Sequence, residues 1–151
     1  MNTHSYKYFV VEDEHLIRKN LIKKIESLEL PFELAGEASN GMDARLKIEK
    51  TCPDLVITDI RMPQFDGLEL AEYLNKNYPH TKVIILSGYN DFSYAQSAIR
   101  FQVKDYLLKP VTIEALSQSL QDVLVSLQSE SEKIDSFYTD TNKLDQKSIC
   151  E

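Results

Sequence analysis

Cysteine is scarce in this chain, with only Cys52 and Cys150 in 151 residues. They lie far apart and outside any CxxC or histidine pattern, so the sequence predicts neither a disulfide framework nor a zinc site, and a reduced setting. Basic clusters are lacking too. Lys and Arg number 17 against 24 Asp and Glu, a formal net charge of −7, and no expected helix face carries a basic run beyond ordinary solvated positions. Direct contact with nucleic acid by this chain is therefore not expected. No apolar run approaches the ~20 residues that a bilayer span requires, so no membrane segment is expected. The first residues, Met1 to Lys7, lack the apolar core of a secretory signal. These absences together lead to the expectation of a soluble, cytoplasmic protein. What is present, 42% hydrophobic residues, suits one domain with a core of its own.

The organising stretch is Leu55-Val-Ile-Thr-Asp59, followed at once by Ile-Arg-Met-Pro-Gln-Phe-Asp-Gly67. An unbroken aliphatic run bounded by turn formers fits a central parallel strand, both faces of which are covered. Such a strand delivers Asp59 to the rim of the sheet, where open parallel sheets bind ligands. Taken singly, Asp59 is also readable as a helix-capping or turn aspartate.

Around this strand the chain alternates. Tyr8–Val11 forms a strand that stops on Glu12, Asp13 and Glu14. Ile17, Leu21, Ile25 and Leu28 then follow at helical spacing, with Arg18, Lys19, Lys23 and Lys24 turned away. Phe32–Ala35 alternates like a half-exposed edge strand. Asn40-Gly41 opens a helix supported only by Ala44, Ile48 and Cys52, since Arg45 and Lys47 interrupt its apolar face. A third helix begins near Gly67 and carries Leu70, Ala71, Leu74 and Tyr78, ending at Pro79. Lys82–Ser87 is a strand ending on a hydroxyl, Tyr94 to Phe101 a short helix, and Asp105–Leu108 a fifth strand before Lys109-Pro110. From Ile113 to about Gln128 the chain reads as helix. Five strands alternating with helices imply an α/β fold, a doubly wound parallel sheet of order 2-1-3-4-5, with right-handed crossovers.

In that order strands one and three straddle the switch point, and the side chains at the strand ends converge on one rim. Asp13 and Asp59, with Glu12 close by, make a set of hard oxygen donors suited to Mg²⁺. Lys109 adds a point charge able to pair with phosphate, and the Ser87 hydroxyl can donate to a phosphoryl oxygen. The set suits phosphoryl transfer with Asp59 as the nucleophile, forming an acyl phosphate. In this reading the edge strand contributes nothing to the site.

Four separated motifs, in order, resemble the receiver domains of two-component response regulators, the CheY-like family. They are Val11-Glu12-Asp13-Glu14; Thr58-Asp59-Ile60-Arg61-Met62-Pro63 with Asp66-Gly67; Leu86-Ser87-Gly88-Tyr89; and Lys104-Asp105-Tyr106-Leu107-Leu108-Lys109-Pro110. The resemblance implies that residues 1–128 form a receiver and that Asp59 accepts a phosphoryl group from a sensor histidine kinase. It also implies that Asp13, Asp59 and the main-chain carbonyl of Arg61 hold Mg²⁺ directly, with Glu12 acting through water. Ser87 and Lys109 would grip the phosphoryl group, Lys109-Pro110 would be a cis peptide, and Tyr106 would be the switch aromatic that turns inward as Ser87 moves. The surface of the fourth helix, fifth strand and fifth helix would carry the output. Glu12 stands where the family commonly has an aspartate, and Gln102 where it commonly has a glycine.

Residues 129–151 are expected to be a linker or a helical extension. Ile134 and Phe137 prolong the 3-4 spacing of Ile113, Leu116, Leu120, Val123 and Leu127, which fits a coiled coil and a homodimer; a solvated tail from Ser129 fits equally. The motifs resemble regulators that carry an AraC-type DNA-binding output domain, and the stretch after Gln128 is too short to hold one. DNA would then be reached only through such a domain or a partner. Two other readings compete. A metal-dependent aspartyl-phosphate phosphohydrolase of the haloacid-dehalogenase kind needs a second acid two residues after the nucleophile, where Arg61 stands. An unphosphorylated binding module would leave the acids idle.

Overall fold

The computed structural model describes residues 4–88 and 103–141, with backbone only from residue 131 onward. The strands are β1 (Tyr6–Val11), β2 (Phe32–Ala38), β3 (Leu55–Asp59), β4 (Lys82–Ser87) and β5 (Asp105–Leu108). Between them lie α1 (His15–Ser27), α2 (Gly41–Thr51) and α3 (Gly67–Asn77), and a C-terminal helix spans Ile113–Thr141. The helix expected from Tyr94 to Phe101 and the loop at Gln102 lie outside the described residues.

All strand pairings are parallel, and the order is β2-β1-β3-β4-β5. The period-2 alternation of a strand divides the core into two layers. Phe9, Val11, Val56, Val83 and Ile85 face one side, against Ala44 and Ile48 of α2 and Leu70 and Leu74 of α3. Tyr8, Val10, Leu55, Ile57, Ile84 and Leu86 face the other, against Leu21, Ile22 and Ile25 of α1 and Leu116, Leu120, Val123 and Leu127 of the C-terminal helix. Every residue of β3 is buried, as expected of a central strand covered on both faces.

Several boundaries depart from the sequence expectation or extend it. β2 runs three residues past Ala35 because its pairing with β1 continues through a register shift, Tyr8 with Leu34 and then Phe9 with Gly36. A Cβ on Gly36 would stand 2.8 Å from the buried Phe9 ring, so a side chain there would have to push that ring aside. Cys52 is not on the apolar face of α2; it is the C-cap, in the left-handed conformation at φ 46°. It is also disulfide-bonded, against the expectation of reduced thiols, and its partner lies outside the described residues. Two cysteines so far apart in sequence carry no spacing from which such a bond could be read. Finally, of the two readings of the stretch after Gln128 the helical extension holds as far as Thr141, and residues 129–141 contain neither proline nor glycine to stop it. An ion pair between Lys82 and Glu130 ties its middle to the start of β4.

Arg45, which breaks the apolar pattern of α2, has a packing role. Its guanidinium lies 5.1 Å from the Phe65 ring centroid and 4.3 Å from that of Tyr73, a cation–π contact joining α2, α3 and the loop between β3 and α3.

Candidate functional site

The chain reverses its winding direction between β1 and β3, and the carboxyl ends of these two strands open a crevice there. β1 ends at Val11, so Glu12 and Asp13 form the first turn of the connection; β3 ends on Asp59 itself. The carboxylates of Glu12, Asp13 and Asp59 each place an oxygen within 4.8 Å of the other two. Glu12 and Asp59 are buried, whereas Asp13 is exposed. β5 delivers Lys109 to the same rim, and its Nζ lies 3.1 Å from Asp59 Oδ1 and 3.1 Å from Glu12 Oε1. The peptide between Lys109 and Pro110 is cis.

The backbone holds these groups rigidly. The amide of Ile60 donates to the Leu86 carbonyl at 2.9 Å, and that of Lys109 to the Ser87 carbonyl at 2.8 Å, so Asp59, Ser87 and Lys109 share one frame. Gly67 opens α3 directly beneath the site, where a Cβ would sit 2.3 Å from the Asp59 carbonyl oxygen. Only glycine permits that approach. Asp66 and Glu69 close a reciprocal capping box on the same helix start, which fixes the return of the loop that carries Arg61. The Arg61 side chain is exposed.

Electrostatically the site is under tension. Burial pushes the Asp59 carboxyl above the ordinary aspartate range, and Asp13 adds to this while Lys109 opposes it. Burial likewise raises Glu12, partly offset by the Glu14 amide that donates to its carboxylate at 3.1 Å. For Lys109, burial alone would lower the pKa; Asp59 and Glu12 together outweigh it and hold the ammonium above the ordinary lysine range. Two desolvated acids thus share one compact cation. The donors are hard oxygens, two of them dehydrated and close enough to share an ion, and they fit a small divalent cation such as Mg²⁺.

Ser87 is fully buried at the end of β4, and its Oγ has no hydrogen-bond partner among the described residues. A buried hydroxyl in that condition is costly unless some state of the protein satisfies it. Tyr106 pairs in register with Ile85, and its half-buried side chain packs against the core layer that includes Val83 and Ile85. The expected site residues Asp13, Asp59, Lys109 and Glu12 are therefore brought together, with Ser87 on the neighbouring strand end and Tyr106 three residues before Lys109.

One group was missed in the sequence. Arg18 was expected to face away from the protein, yet its side chain is 13% exposed. Its Nη1 donates to the Glu12 carbonyl at 2.7 Å and its Nε to Glu37 Oε1 at 2.8 Å. Glu37, whose other oxygen accepts from Lys19 at 2.7 Å, belongs to the edge strand β2, so that strand does contribute to the rim. The pairing spans 19 residues, and only the position of Arg18 in the first turn after the acids hinted at it.

A family model described as the response regulator receiver domain matches residues 8–121. Among curated proteins the chain is similar to the uncharacterized transcriptional regulatory protein YesN of Bacillus subtilis, 38% identical over 125 residues that cover 83% of this chain and 34% of that protein. It is also similar to the transcriptional regulatory protein HptR of Staphylococcus aureus, 36% identical over 129 residues that cover 83% and 50% respectively. Among solved structures, the receiver domain of AraT, a response regulator from Geobacillus stearothermophilus, superposes with a TM-score of 0.79 at 36% identity, covering 83% of this chain and 98% of that one. A DNA-binding response regulator of the LuxR family from Staphylococcus aureus superposes with a TM-score of 0.71 at 31% identity, covering 78% and 98%. The chain spans from about a third to a half of the length of the curated relatives it matches. Among the described residues no helix is long and apolar enough to cross a membrane.

Proposed function

Because this chain belongs to the response regulator receiver family, we propose that it is a phosphorylation-dependent switch whose acceptor is Asp59 and whose donor is a sensor histidine kinase. One observation carries the reading: Lys109 Nζ sits 3.1 Å from both Asp59 and Glu12 in the acid cluster at the switch point. In the forward step an Asp59 carboxylate oxygen attacks the phosphorus of a phosphohistidine. A P–O bond forms and the P–N bond breaks, and the imidazole leaves with the electron pair and takes up a proton.

Asp13, Asp59 and the Arg61 main-chain carbonyl would hold Mg²⁺ directly, and Glu12 through water; the ion would supply charge neutralisation between the acids and the incoming phosphoryl oxygens. Lys109 keeps its positive charge throughout and pairs with a phosphoryl oxygen, giving up part of its contact with Asp59. Ser87 Oγ donates to another, which satisfies a hydroxyl otherwise without a partner among the described residues. As Ser87 moves, Tyr106 fills the space behind it, and the surface around β5 and the C-terminal helix changes. Water slowly hydrolyses the acyl phosphate and resets the switch, so the chain is a signalling protein and not an enzyme of metabolism.

Residues 1–128 are the receiver and 129–151 the linker or helical extension that passes the change on, to a homodimer or to an output domain controlling transcription. This chain itself makes no contact with DNA or membrane. The setting is the cytoplasm. Intact mass after incubation with Mg²⁺ and acetyl phosphate tests the reading. Wild type gains one phosphoryl group and Asp59→Asn gains none; equal labelling of both, or of neither, contradicts it.

A further inference from the structure

We propose that Arg18 is a positioning residue for the cation site, acting by clamping the turn that carries Asp13; the inference rests on reading the acid cluster as a divalent-cation site. The turn Glu12–Glu14 is held at several points. Its first amide, of Glu12, donates to the Ala38 carbonyl at 3.1 Å. The Glu12 carboxylate is held by the Glu14 amide at 3.1 Å and by Lys109 at 3.1 Å. The Glu12 carbonyl, which begins the peptide leading to Asp13, is held by Arg18 Nη1 at 2.7 Å. Asp13 itself is exposed, so its placement depends on the backbone beneath it.

Arg18 suits this task because a guanidinium is a rigid fork. One edge reaches the Glu12 carbonyl while Nε is fixed by Glu37 at 2.8 Å, and Lys19 steadies the other oxygen of Glu37 at 2.7 Å. Burial would raise the Glu37 carboxyl, but these two contacts outweigh it and hold the group below the usual carboxylate range. Glu37 therefore stays charged at neutral pH. The chain of contacts runs from β2 through Glu37 and Arg18 to the Glu12 carbonyl and so to Asp13. Groups that orient metal ligands without touching the metal commonly change its affinity by about 10- to 100-fold when removed.

A simple electrostatic view predicts the opposite sign. Arg18 is a cation near a cation site, and its removal should tighten binding of Mg²⁺. Isothermal titration of Mg²⁺ into the full chain, unphosphorylated and at a temperature where circular dichroism shows each variant folded, separates the two. Arg18→Gln is expected to weaken Mg²⁺ binding by about tenfold, and Arg18→Lys by nearly as much, because an ammonium keeps the charge but cannot span both partners. Glu37→Gln, which leaves the Glu12 contact in place but frees its far anchor, is expected to weaken binding too, by less than about tenfold. Unchanged or tighter binding by Arg18→Gln overturns the proposal alone. Should Arg18→Gln fail to fold, Arg18→Lys and Glu37→Gln decide in the same way. Wild type that binds no Mg²⁺ at millimolar concentration overturns this inference together with the cation-site reading beneath it.

Discussion

At the scale of single residues, the site exchanges stability for reactivity. Asp59 is buried beside Glu12 and Asp13, and its carboxyl is held above the ordinary range by burial first. A group whose folded pKa is raised contributes stability below its unfolded pKa and loses it as pH rises through the folded value. Without divalent cations the ionised form is therefore a burden at neutral pH. Asp59→Asn in EDTA is expected to stabilise the chain at pH 7 by on the order of 1 kcal/mol, and urea denaturation across the acid range should show that advantage shrinking as wild-type Asp59 takes up its proton. Lys109 has the opposite role. Lys109→Met leaves Glu12 and Asp59 facing each other unpaired, and a loss of about 2 kcal/mol is expected at pH 7, somewhat below the usual figure for a fully buried pair because Lys109 is partly exposed. Since the Lys109 pKa is raised, its contribution is present at neutral pH and is lost only in the alkaline range, as pH rises through the raised value. Denaturation of wild type and variant should converge there.

Among the secondary-structure elements, β3 and α3 do most to place the acceptor, and both were legible. The run Leu55–Ile57 is apolar without alternation and bounded by turn formers, which fits a strand covered on both faces, and the spacing of Leu70, Ala71 and Leu74 places a helix from Gly67, although its capping box at Asp66 and Glu69 was not read. The steric demand at Gly67 was not legible, since it arises from the Asp59 carbonyl folded back against it. Gly67→Ala is expected to cost more than about 2 kcal/mol in urea denaturation, because the obstructing atom is backbone and cannot rotate away. The limits of sequence reading appear elsewhere with physical causes. Pairing with β1 carries β2 through a bulge that its own alternation does not announce. Cys52 shares helical spacing with Ala44 and Ile48 but leaves the helix as a left-handed cap. Arg18 looks solvated on a helical wheel, and only the fold reveals that β2 brings Glu37 to it.

For the whole molecule, the ends of four strands, all but the edge strand, were expected to meet at one rim, and the order β2-β1-β3-β4-β5 brings Asp59 and Lys109 into contact across 50 positions of sequence. Spacing within each motif was readable, whereas the distances between motifs depend on strand register, a cooperative property of the sheet. A cation that binds only the folded state stabilises it by mass action, by about 2.7 kcal/mol at a hundredfold excess over its dissociation constant. Mg²⁺ is thus expected to raise the melting temperature of wild type by several degrees, and Asp13→Asn to abolish most of the rise; calorimetric scans with Mg²⁺ and with EDTA would check both.

The central claim is that this convergence makes Asp59 the phosphoryl acceptor, and locating the modified side chain tests it most directly. After reaction with acetyl phosphate and Mg²⁺, borohydride reduction converts an aspartyl phosphate into homoserine, and peptide mass mapping then shows which residue was converted. Conversion at Asp59, with Asp13 and Glu12 untouched, is the predicted result. Conversion at another carboxylate, or phosphorylation stable to borohydride, would contradict the account.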